Sequence, residues 1–170
     1  MLAALPLPAP LSTRAGDVVL RAADDGDLDA LIGLLADDEA SASRGDVASP
    51  EDRALYADAL AEIQRDPANA ALVAEAPDGI VATMQLTRIP GMSRRGATRL
   101  LVEAVRVRSD RRSGGIGSAL MRWVADDAAP ALGASLVQLT SDARRVDAHR
   151  FYERLGFTPS HVGFKRAVRL

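Results

Sequence analysis

The sequence predicts a single α/β domain: a central, mixed, twisted sheet with helices on both faces. Three observations carry that prediction. The 170 residues lie near the size at which one core is the default. Short β-branched runs alternate with segments of helical periodicity through most of the chain. Between two of those runs Pro77-Asp78-Gly79 marks a tight turn, so an antiparallel hairpin sits in a sheet whose helix-linked strands tend to be parallel.

Each element has its own local signal. Asp17 to Arg21 is a β-branched run, and after Asp24-Asp25-Gly26-Asp27 the apolar positions Leu28, Leu31, Ile32 and Leu35 recur at helical spacing behind an acidic cap. Ser41 to Ser49 reads as a loop. Ser49-Pro50-Glu51-Asp52 then opens a second helix that runs to about Arg65 and stops before Pro67. Ala70 to Ala76 and Gly79 to Arg88 are the arms of the hairpin, and Ile89 to Gly96 is a loop. Ala97 to Arg108 alternates as a strand, Ser109 to Gly115 is a polar glycine-rich turn, and Ile116, Leu120, Trp123 and Val124 define a helix ending near Pro130. Ala134 to Thr140 is a further strand, Arg144 to Leu155 a helix stopped by Gly156, and Phe157 to Arg169 is expected to hold one or two final strands.

Composition excludes several kinds of chemistry. Hydrophobic residues make up 48% and charged residues 26%, close to globular averages, so most of the chain is expected to fold. With no cysteine there is no disulfide, no thiolate metal site and no cysteine nucleophile, and His149 and His161 are too few for a histidine-rich metal site. No metal is expected. Absence of cysteine fits a reducing, cytoplasmic setting, and no apolar run approaches the roughly 18 to 20 residues that span a bilayer. The first residues lack a basic group before Arg14 and are broken by Pro6, Pro8 and Pro10, so they read poorly as a signal peptide. Residues 1–16 are expected to be a flexible tail, with the domain over 17–170.

Charge is uneven along the chain. Residues 1–87 hold 16 acidic residues against 5 arginines, whereas residues 88–170 hold 7 against 16 basic ones. Such blocks often form solvated faces. Eight arginines between Arg88 and Arg112 flank the glycine cluster, which points to a polyanionic ligand of modest size. The basic stretch has no interleaved aromatics and aromatic residues are only 4% of the chain, which argues against nucleic acid.

The most informative segment is Val105-Arg106-Val107-Arg108-Ser109-Asp110-Arg111-Arg112-Ser113-Gly114-Gly115-Ile116-Gly117-Ser118. A strand feeds a glycine-rich turn that opens a helix, where free N–H groups and the dipole favour a phosphate or pyrophosphate. A turn without any ligand has the same local signature. A dinucleotide fingerprint would need Gly or Ala at position 120, which is leucine, and a P-loop would need a lysine in the turn.

Arg112-x-x-Gly115-x-Gly117 resembles the Gln/Arg-x-x-Gly-x-Gly/Ala signature of the GNAT superfamily of N-acetyltransferases. Ala148-His149-Arg150-Phe151-Tyr152-Glu153-Arg154-Leu155-Gly156-Phe157 resembles that family's second signature, and Leu20 to Leu28 its first strand and helix. The resemblance covers roughly residues 17–165. It implies acetyl-coenzyme A as acyl donor, with Arg112, Ser113, Gly114, Gly115, Gly117 and Ser118 at the pyrophosphate and the backbone of Val105 and Val107 along the pantetheine arm. Many members carry an asparagine seven positions before the tyrosine. This chain has Arg145, so that contact would fall to Arg145 or Asp142.

The resemblance also implies roles for two side chains. Glu103 is the expected general base: alternation places it with Leu101, Val105 and Val107, and a carboxylate on an apolar face has its pKa raised by desolvation. A local bulge would instead turn it to solvent. Tyr152 is the expected acid, since a phenol is protonated at neutral pH and suits a departing thiolate. Without the motif it would read as a half-buried helix aromatic. His149 lies on the same helix face and is left outside the catalytic set. The acidic N-terminal half would attract a cationic amine if it rims the acceptor cleft, although exposure on outer helix faces accounts for it equally.

The expected activity is direct acetyl transfer to a primary amine, since no cysteine exists to carry the acyl group. The small-molecule amine is favoured over a protein N-terminus or lysine, and the rival class is a non-catalytic acyl-coenzyme A sensor. No membrane partner is expected. A homodimer through the C-terminal strands is, because Val162, Phe164, Val168 and Leu170 form an apolar set on a sheet edge.

Overall fold

The computed structural model describes residues 2–37, 45 and 48–168. Six strands run in chain order: β1 (Ala9–Leu11), β2 (Val18–Ala22), β3 (Asn69–Ala76), β4 (Gly79–Ile89), β5 (Thr98–Val107) and β6 (Ala134–Leu139). Each pairs with the next, antiparallel throughout except for the parallel pair β5–β6. The antiparallel hairpin β3–β4 follows from Pro77-Asp78-Gly79, with Gly79 at φ 109°. The parallel pair needs a crossover, and α3 (Ile116–Trp123), prolonged to Ala131 through one wide turn, makes it. The other helices longer than one turn among the described residues are α1 (Leu28–Ala36), α2 (Arg53–Arg65) and α4 (Val146–Arg154).

The two faces of the sheet bury different clusters. On one face Leu20, Leu72, Met84, Leu86, Leu100 and Val102 pack with Ile116, Leu120, Trp123 and Val124 of the crossover, and α4 adds Phe151, Tyr152 and Leu155. On the other, Val73 and Ala23 meet Leu28 and Ile32 of α1 and Leu60 of α2. Burial of apolar surface on both faces holds the layers together.

Two expectations are corrected. Residues 2–16 are no tail: Leu5 and Ala9 are 6% and 8% exposed, and Ala9 to Leu11 pairs with β2. The apolar side chains between the prolines supply the burial, and Pro10 is tolerated because β1 is an edge strand. After α4, residues 157–168 form no strand. Val162, Phe164 and Val168 are 79%, 92% and 77% exposed, so the period-two pattern there finds no partner strand among the described residues, and Leu170 lies outside them.

The start of α1 is fixed by charge. Asp24 accepts from the Gly26 N–H at 2.8 Å, Asp27 accepts from the Asp24 N–H at 2.9 Å, and Arg21 on β2 clamps both Asp27 oxygens at 2.6 and 2.8 Å. The Arg21 hydrogen bond holds the Asp27 carboxyl below its ordinary 3.8, against the opposing effect of burial. Its contribution is therefore complete above about pH 5 and lost as pH falls through the folded value. Asp27→Ala leaves a half-buried guanidinium without this partner, and a loss of about 2 kcal/mol is expected in urea unfolding at pH 7, shrinking at acid pH.

Candidate functional site

The chemistry gathers where β5 and β6 part. Their pairing runs from Thr98 and Ala134 to Val102 and Leu139 and stops, while β5 continues to Val107. Beyond Val102 no described strand pairs with that edge of β5. The turn that follows holds Ser113 at φ 63° and Gly115 at φ 92°, and α3 begins at Ile116 with no side-chain cap. The first bond inside the helix is Ala119 N–H to the Gly115 carbonyl, so the amides of Ile116, Gly117 and Ser118 precede it at the positive end of the dipole. An uncapped helix start beside an open strand edge suits a pyrophosphate joined to an amide-bearing arm.

The glycines play separate parts. Gly115 supplies a left-handed residue. A Cβ on Gly114 would fall 2.5 Å from the Ala15 Cβ, and the Ala15 N–H donates to the Gly114 carbonyl at 3.0 Å. Gly114 is thus a packing glycine. A Cβ on Gly117 would lie 3.5 Å from the Phe151 ring and 3.8 Å from Val107, an ordinary contact. Arg14 donates to the Ser113 carbonyl at 2.9 Å, which puts a cation from the N-terminal segment on the loop.

Arginines and acids from the two halves of the chain neutralise one another around this loop. Arg112 donates to the carbonyls of Val107 and Asp37 at 3.1 and 2.9 Å, and Asp37 also accepts from the Ser109 N–H at 2.7 Å. The Arg112 side chain therefore ties the end of α1 to β5. Asp78 in the hairpin turn accepts from Arg108 and Arg111, both at 2.6 Å, which holds its carboxyl down at about 2.

Glu103 does not share a face with Val105 and Val107. Ala104 sits at φ 50° and the register against β4 shifts, so that Glu103 opposes Gln85 and Arg106 opposes Thr83. Val105 and Val107 pack on the larger core, whereas Glu103 joins Leu101 and Arg106 on the α1–α2 side and is exposed. The apolar shelter expected for Glu103 is absent. The Val105 carbonyl accepts from Arg106 Nη1 at 2.9 Å.

Tyr152 lies edge-on between Phe151 and Phe157, with ring centroids 5.1 and 5.9 Å away. Burial raises its hydroxyl above the ordinary 10.0, while the guanidinium groups of Arg145 and Arg106 pull the other way. It stays a proton donor. His149 Nε2 lies 2.9 Å from the Asp142 carbonyl and serves the loop before α4. Arg14, Asp37 and Arg106 escaped the sequence reading: the first two act through contacts distant in sequence, and only the place of Arg106 between two strand valines hinted at its face.

A strand edge that no described strand pairs, beside the uncapped start of α3, is the geometry of the candidate site. A sequence model of the acetyltransferase (GNAT) family matches residues 22–157, and the chain belongs to that family. It is similar to the crystal structure of a transcriptional regulator from Bacillus halodurans C-125, with 38% identity and a TM-score of 0.84 over 89% of this chain and 99% of that one. A putative acetyltransferase from Agrobacterium tumefaciens str. C58 shows 27% identity and a TM-score of 0.73 over 88% of this chain and 99% of its own. The aminoalkylphosphonate N-acetyltransferase of Salmonella typhimurium (strain LT2) is 45% identical over 53 residues, which span 31% of this chain and 34% of that protein. Among the described residues no helix is long and apolar enough to cross a membrane, and no cluster of metal-ligating side chains occurs.

Proposed function

We propose that the protein transfers an acetyl group from acetyl-coenzyme A directly to the primary amine of a small molecule. The observation that carries this reading is the end of β5–β6 pairing beside the uncapped start of α3, with the Tyr152 hydroxyl within electrostatic reach of Arg106 on β5. Acetyl-coenzyme A supplies an activated acyl group as a thioester. Ile116, Gly117 and Ser118 offer backbone N–H groups to its pyrophosphate, with Arg14 and Arg112 close by, and the free edge of Val105 and Val107 aligns the arm. Glu103 takes the amine proton through water as the C–N bond forms, and Tyr152 gives its proton to sulfur as the C–S bond breaks. The short stretch in common with an aminoalkylphosphonate N-acetyltransferase supports a small-molecule acceptor.

An amine panel read by free-thiol release tests the reading, and thiol release dependent on amine is the expected result. The Bacillus halodurans relative, described as a transcriptional regulator, motivates the second reading of an acyl-coenzyme A sensor. Cofactor binding without thiol release for any amine would favour it. If Glu103 is the base, Glu103→Gln lowers kcat/KM most at low pH and recovers as pH rises and the amine deprotonates by itself; a uniform loss across pH would remove Glu103 from that role.

A cytoplasmic homodimer belongs to the same proposal. Its support is the outer edge of β6, which no described strand covers, together with the exposed Val162, Phe164 and Val168. Light scattering at micromolar concentration is expected to give twice the 17.9 kDa of one chain, and a single-chain mass would refute it.

A further inference from the structure

A row of hydrogen bonds crosses the α1–α2 face of the sheet and ends beside Glu103. Asp66, just after α2, accepts from the Ala68 N–H at 2.8 Å and from Asn69 Nδ2 at 2.7 Å. These two bonds hold the Asp66 carboxyl below its ordinary 3.8, so it is ionised at neutral pH and can only accept. The Asn69 amide is thereby oriented, with Nδ2 toward Asp66 and Oδ1 toward β4. There the Oδ1 accepts from Thr87 Oγ1 at 2.6 Å and from Gln85 Nε2 at 3.1 Å. Gln85 is oriented in its turn: with Nε2 committed to Asn69, its Oε1 is directed away from β3.

Glu103 stands opposite Gln85 on β5, so the two side chains lie side by side on one face, about 5 Å apart at Cβ. Among the described residues neither Gln85 Oε1 nor the Glu103 carboxylate accepts a hydrogen bond. Gln85 is half-buried and Glu103 exposed, so a ligand reaches the pair from solvent. Glu103 is one residue past Val102, the last residue of β5 that pairs with β6. Two acceptors with no donor between them suit a group that brings its own N–H bonds.

We infer that Gln85 is a substrate-binding residue: its Oε1 and the Glu103 carboxylate, the latter directly or through water, receive the two N–H bonds of a primary amine and leave the nitrogen lone pair facing the thioester. The inference rests on the acetyltransferase reading of the same site. A neutral primary amine has two N–H bonds and one lone pair, which match two acceptors and one electrophile. A secondary amine has a single N–H, so it leaves one oxygen unmatched and sets an alkyl group against it. Gln85 thereby selects primary over secondary acceptors.

The test pairs propylamine, benzylamine and 2-aminoethylphosphonate each with its N-methyl counterpart as acceptors, by thiol release at fixed acetyl-coenzyme A. For the wild-type protein the best primary amine is expected to exceed its N-methyl counterpart at least tenfold in kcat/KM. Gln85→Leu is expected to lower that ratio at least fivefold while acetyl-coenzyme A affinity by calorimetry stays within about twofold. A Gln85 that served packing alone would leave the ratio where it was. If Gln85→Leu does not fold, Gln85→Met, unbranched and without the oxygen, and the wild-type panel decide. A wild-type ratio near one, or a ratio unmoved by the folded variant, overturns the inference and leaves the acetyltransferase reading standing. No thiol release with any amine, although acetyl-coenzyme A binds by calorimetry, overturns both.

Discussion

Tyr152→Phe is expected to lower kcat by about a hundredfold while acetyl-coenzyme A affinity stays within about twofold, because the substitution removes one proton and keeps the ring. The ring is what packs against Phe151 and Phe157, so the variant should fold and melt like the parent. Burial pushes the hydroxyl above 10.0 more than Arg145 and Arg106 pull it down, so the wild-type donor remains loaded through pH 9. Any alkaline fall in kcat due to loss of this proton comes above pH 10, and it disappears in the variant. An unchanged kcat would make Tyr152 a packing residue and leave the thiolate to take its proton from water.

Gly117→Asp is expected to weaken acetyl-coenzyme A at least tenfold by calorimetry, since it sets a negative charge among the amides proposed for the pyrophosphate. Gly117→Ala is the matched control. Its methyl group would rest 3.5 Å from Phe151, an ordinary contact, and affinity should fall by less than about threefold. An aspartate in the first turn suits the helix dipole, so lost affinity in the folded Asp variant reports on the ligand and not on α3. Unchanged affinity would take the pyrophosphate away from this loop.

The elements that announced themselves in the sequence are those whose signals are local. The Pro77-Asp78-Gly79 turn, the Ser49-Pro50 start of the second helix and the glycines before α3 each act within a few residues, and each stands where the sequence put it. Glu103 failed the test of alternation because one left-handed residue, Ala104, reverses the faces of β5, and alanine carries no mark of that conformation. The terminal segments failed for another reason. Period-two patterning at Val162 to Val168 says that a strand could form but not that an edge lies within reach, and the prolines near the start conceal how well Leu5 and Ala9 fit the core. Loop chemistry was readable; long-range closure was not.

The contact between Ala15 and Gly114 bears on how the protein is best handled. Asp17, where the sequence suggests that the domain begins, is a tempting place to shorten the chain for expression or crystallisation. A protein trimmed there loses the edge strand Ala9 to Leu11, and with it the Ala15 bond to the Gly114 carbonyl and the Arg14 bond to Ser113, which together form the floor on which the glycine turn rests. Tags and cleavage sites belong at a distance from Leu5, and a version starting at Asp17 that bound its donor poorly would say more about the missing floor than about the loop itself.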